Sequence, residues 1–130
     1  MSTNAKIRPW MLAYTVIFGL FSIFFVRNDY SQYPLAYTAV CALMYAVIFA
    51  GNLLYSLGYA TRPIQSLWKF VFPLVMLHFV GTGIVDARFG RHAHSATLVT
   101  SIIVWAIGLV LFFPAFRAHF LLGYSRDQRV

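Results

Sequence analysis

His78 is the residue in this chain best equipped for chemistry. It is a titratable imidazole near the middle of a long apolar run, sharing a helical face with Gly81, Thr82 and Val85, and Asp86 closes that face. An imidazole so placed can ligate haem iron, carry a proton or donate a hydrogen bond to a quinone. The plainer assignment is a neutral ring bonded to a Tyr, Thr or Asn of an adjacent helix. Bis-histidine haem would need a second ligand at similar depth. His119 lies near the other end of the last apolar run, and His92 and His94 lie in a polar link on the opposite side, so no pair matches.

A second constellation lies between Pro34 and Ala60. Wound at 100° per residue, Tyr45, Asn52 and Tyr55 fall in one polar arc with Tyr37, Thr38, Cys41, Ser56 and Tyr59. An amide at membrane depth needs a partner. The expected binding site is therefore Tyr45, Asn52 and Tyr55 facing His78 and Thr82. Counting residues from the span ends puts Asn52 and His78 at similar depth.

The third constellation is Arg27, Asp29, Asp86, Arg88, Arg91, His92 and His94. Asp86 with two histidines has the donor types for Zn²⁺ or Cu²⁺. Three nearby arginines oppose a cation, so a solvated ion-pair cap is expected and no metal.

Nothing else resembles catalytic machinery. The chain has no glutamate, and Asp29, Asp86 and Asp127 fall in links or in the tail. Proton-coupled transport needs a carboxylate at depth. Glycine-rich phosphate loops, nucleophile elbows and paired-histidine metal motifs are missing from the sequence. No enzyme activity and no cofactor are expected.

The elements that must position these residues are four apolar stretches, Pro9 to Val26, Pro34 to Ala60, Leu67 to Val85 and Ser95 to Leu122. Crossing about 30 Å of hydrocarbon takes roughly 20 apolar residues. The sequence is 61% hydrophobic and 10% charged, which leaves no room for a separate soluble domain. The expected fold is all-α, one polytopic membrane domain over residues 1–130, with four transmembrane helices in an up-down-up-down bundle.

The net charge of +7 comes from ten Lys and Arg against three acidic residues. They are scattered at helix ends, which speaks against nucleic acid. Lys6, Arg8, Arg62, Lys69, Arg117, Arg126 and Arg129 fall on one side, and Arg27, Arg88 and Arg91 on the other. The positive-inside rule then puts both termini in the cytoplasm, of a plasma or bacterial inner membrane. The run after Lys6 and Arg8 ends in Phe24, Phe25 and Val26 rather than small residues, so an uncleaved first span is expected.

Small residues mark expected helix contacts: Gly19 in the first span, Ala42, Ala46 and Ala50 in the second, Ser101 and Gly108 in the fourth. Leu43, Met44, Val47 and Leu54 would face lipid. These stripes exceed what one bundle must use. The expected function is helix–helix contact, as an oligomer or an accessory subunit, with the bilayer and other membrane subunits as partners. The alternatives are a binder or transporter of a small hydrophobic ligand, and third a haem or quinone electron-transfer subunit.

Overall fold

A computed structural model describes residues 7–59, 61–89 and 98–124, with side chains at 29, 32, 86–89 and 98–102 outside the description. Four helices make up the architecture: α1 (Pro9–Gln32), α2 (Leu35–Ser56), α3 (Arg62–Phe89) and α4 (Leu98–Tyr124). Each contains a stretch long and apolar enough to cross a membrane: Pro9–Asn28, Leu35–Ser56, Arg62–Val85 and Ile103–Tyr124. The four-span reading of the composition therefore holds, while the helix ends differ from the apolar boundaries.

α1 runs six residues past Val26, and the differences that bear on the expected site are those at the second link. The apolar run continues to Ala60, but α2 stops at Ser56. Gly58 takes φ 72°, a left-handed conformation that costs glycine little. The Tyr59 N–H reaches back to Leu54 O at 2.9 Å and the Gly58 N–H to Tyr55 O at 3.2 Å, the paired bonds of a Schellman end. The third helix starts at Arg62, five residues before the apolar run. Pro63 fits in its first turn, where a backbone N–H has no helical partner to lose.

Periodicity selects the buried faces. In α1 they are Met11, Thr15, Phe18 and Ser22, spaced by three or four. Thr15 and Ser22 satisfy their hydroxyls within the helix, donating to Met11 O at 2.7 Å and Phe18 O at 2.8 Å. One core layer joins Met11, Tyr55, Trp68, Ala118 and Leu122, and the next joins Phe18, Ile48, Val75 and Ala115.

α1 packs along α2, and α3 along α4. The start of α1 meets the end of α2, where the Arg8 N–H donates to Ser56 O at 2.8 Å. The Arg8 guanidinium also donates to Tyr55 O at 2.6 Å and lies 4.2 Å from the Tyr55 ring centre, which puts a cation on the C-terminal end of α2. Each pair is thus an antiparallel hairpin. The two hairpins join chiefly through α2 against α4, and α2 meets α3 only lightly.

Pro73 and Pro114 lie inside unbroken helices. Pro73 cannot bond the carbonyl of Lys69, and the Tyr124 hydroxyl supplies the missing donor at 3.0 Å. Pro114 likewise releases the carbonyl of Val110, and the Tyr14 hydroxyl from α1 donates to the adjacent Leu111 O at 3.0 Å. Side chains of other helices thus satisfy backbone near both prolines, as an apolar solvent requires.

Candidate functional site

The polar side chains expected to form one site fall into two places. Tyr45, His78 and Thr82 share a cleft lined from α2, α3 and α4 and by Phe25 of α1, with a volume of about 230 Å³. The His78 ring meets Tyr45 edge-on, centroids 6.0 Å apart at 87°. The Thr82 hydroxyl donates to Phe79 O at 3.0 Å, which leaves its oxygen free to accept. Phe79, Trp105 and Phe112 wall the cleft, and Gly83 and Gly108 form its floor.

Asn52 and Tyr55 lie elsewhere, toward the Schellman end of α2. Tyr55 is part of the core layer with Met11 and Trp68. Asn52 is seven residues from Tyr45, about 10 Å along the helix axis. Counting from apolar boundaries levels Asn52 with His78 because it runs α2 four residues too far and starts α3 five residues too late. With the true ends, Asn52 is four residues from the end of α2 and His78 sixteen from the start of α3. The edge-on neighbour of His78 is Tyr45.

At the level of Asn52 the bundle contains a hydrogen-bonded chain that no sequence pattern announced. The Trp68 indole N–H donates to His119 Nδ1 at 3.0 Å, and His119 Nε2 lies 3.1 Å from Ile48 O. Indole is donor only, so Nδ1 accepts and the proton sits on Nε2, which donates to the carbonyl. Both nitrogens are therefore engaged, and His119 has no lone pair left for a metal. Gly51 makes the contact feasible. A Cβ there would meet His119 Cε1 and come within 2.9 Å of Trp68 Cζ2. The signals were a glycine inside α2 and a histidine among apolar residues, but their connection spans 51 positions between Trp68 and His119.

Asn52 itself is 0% exposed, and neither amide atom finds a partner among the described residues. An orphaned buried amide costs about 1–3 kcal/mol. Asn52→Leu, nearly isosteric, should therefore leave the detergent melting temperature unchanged or raised. A loss above about 1 kcal/mol would mean that the native amide is bonded, for example by a buried water.

The small residues also divide. Gly19, Ala42 and Ala46 line an apolar groove of about 610 Å³ on the outer side of the α1–α2 hairpin, with Leu20, Ile23 and Phe49. Ala46 and Ala50 are exposed rather than used inside the bundle. Met44 and Val47 are half-buried against the Phe18–Ile48 layer, and Leu54 against the Met11–Tyr55 layer, while Leu43 faces outward. Gly108 lines the cleft, where a Cβ would lie 3.8 Å from Phe79 Cζ. Of the expected polar cap, Arg27 is exposed. Arg91, His92 and His94 lie outside the described residues, as do the side chains of Asp29, Asp86, Arg88 and Ser101.

Compared with protein-family models, curated proteins and solved structures, the chain matches none.

Proposed function

We propose that this chain is a four-span integral membrane subunit that binds a transmembrane helix of a neighbouring protein in the α1–α2 groove. The observation that carries the reading is the outward placement of small residues. Ala42 and Ala46 line a groove on the surface of the bundle, together with Gly19, whose missing side chain also admits the Phe49 ring of α2. Association in lipid depends on close packing, and small side chains admit a second backbone. The lining has no charged residue that would demand an ionic partner.

Ala46→Leu tests this. Its side chain is exposed, so the bundle should keep its helix content and melting temperature. Native mass spectrometry in mild detergent should show the heavier assembly of the parent protein reduced or lost. Val47→Leu should do the reverse, lowering stability by about 1 kcal/mol through overpacking while the assembly persists. An assembly unaffected by Ala46→Leu, or a groove that carries only lipid, would sink the proposal.

The helices cross up, down, up and down, with both termini in the cytoplasm of a plasma or bacterial inner membrane. Seven of the ten basic residues fall on the side of the termini, which supports that orientation. In a background lacking Cys41, Ser31→Cys should react with an impermeant thiol reagent applied outside, and Ser2→Cys should not. The reversed labelling pattern would invert the protein.

A further inference from the structure

The cleft around His78 adjoins the groove at Tyr45 but has a chemistry of its own. The pattern of its lining restricts what can occupy it. Among the described residues it has no Asp, Glu, Lys or Arg. An ion of either sign would have no counter-charge in a low-dielectric site, so the occupant is neutral. Three polar side chains line it, His78, Thr82 and Tyr45. A neutral imidazole offers one donor and one acceptor, and the Thr82 oxygen, its proton given to Phe79 O, offers an acceptor.

The walls favour a flat ring. Phe79 meets Trp105 edge-to-face with centroids 5.0 Å apart at 71°, and meets Phe112 at 5.4 Å. Gly83 builds the floor. A Cβ at that position would collide with the six-membered ring of Trp105, so the indole lies directly on the α3 backbone. Gly108, on the facing helix, leaves room below Phe79.

Size restricts the occupant further. Pockets that enclose drug-sized molecules start near ~300 Å³. At about 230 Å³ the cleft suits one substituted ring. Val104 on its lining is 61% exposed, so the cleft opens to the outside of the bundle, where a chain attached to the ring would lie in lipid.

We propose that this cleft binds the head group of a lipid-soluble quinone or its quinol. His78 donates to a ring carbonyl, Thr82 accepts from a quinol hydroxyl, and the ring stacks among Phe79, Trp105 and Phe112. The tail leaves past Val104. The proposal is one of binding and involves no electron transfer within the chain. It is independent of the groove on α1 and α2.

The test is a titration of the purified full chain in mild detergent with a benzoquinone bearing a single isoprene unit, read by tryptophan fluorescence. Trp105 lies in the cleft wall, so quenching should saturate, and Trp105→Phe should remove most of the saturable part. His78→Leu should weaken binding by up to about tenfold, the loss of one hydrogen bond, while Thr82→Val should leave quinone affinity unchanged, since a quinone has no hydroxyl to donate to it. Gly108→Leu fills the cleft from a position with free space and should abolish saturation in a protein that still melts cooperatively. His78→Gln keeps a donor and an acceptor and should retain most of the affinity. Three results would overturn the proposal: quenching linear in quinone, as partitioning into detergent gives; equal affinity in the parent and Gly108→Leu; or equal binding of an isoprenoid alcohol that lacks the ring.

Discussion

Replacing Gly51 with leucine should leave almost no folded protein. The missing side chain at Gly51 is what lets α2 lie against the His119 ring, and a Cβ would also come within 2.9 Å of Trp68 Cζ2. Overpacking a tight contact costs about 1–3 kcal/mol even where neighbours can adjust. Here the neighbour is fixed by bonds on both ring nitrogens, so adjustment breaks them and strands buried donors at about 1–3 kcal/mol each. The total is of order 5 kcal/mol, comparable with the whole stability of a small domain. Size-exclusion profiles in mild detergent and thermal unfolding followed by circular dichroism measure the effect. Gly81→Leu is the control, since nothing lies within 4 Å of a Cβ at Gly81. Equal yields of the two variants would mean that α2 and α4 do not meet at Gly51.

His119→Leu should cost about 3 kcal/mol, because it leaves the indole N–H of Trp68 buried without an acceptor. The side chain is 0% exposed, so no solvent can substitute. Trp68→Phe removes the donor instead and should cost about as much, mostly in lost packing. Combining the two removes both partners of one bond. The double variant should then be more stable than the sum of the single losses predicts, by roughly 1 kcal/mol or more. Unfolding in graded SDS–detergent mixtures supplies the three differences. Strict additivity would show that the indole and imidazole do not interact in solution.

These two residues also mark the limit of what the sequence discloses. Four spans are legible because about 20 consecutive apolar residues is a compositional requirement. Helix ends are less so. A run that stays apolar through Leu57 hides the stop imposed by Gly58, and that four-residue overrun helped place Asn52 beside His78. The faces of α2 are harder still. In water, polar and apolar sides separate lipid-like core from solvent, but in a bilayer both sides are apolar. Size gave no reliable substitute: Met44 and Val47 turn toward the core, and Ala46 and Ala50 turn outward. Tyr45, His78 and Thr82 could be grouped because polar side chains avoid lipid. Trp105, Gly83 and Gly108 completed the cleft only through helix packing.

The division into two antiparallel hairpins has a consequence for modularity. Between Gly58 and Arg62 lies a link of only a few residues, and what crosses from one half to the other is mainly the seam of α2 against α4. Such a link serves as a tether that keeps the halves at a millimolar-range effective concentration. Severed there, the protein becomes two complementary fragments, each with both its helices and its own interhelical packing. Their reunion draws on the bonds between the halves, His119 to Ile48 across that seam and Tyr14 to Leu111 between α1 and α4. The chain is in that sense already a heterodimer whose subunits happen to be covalently joined.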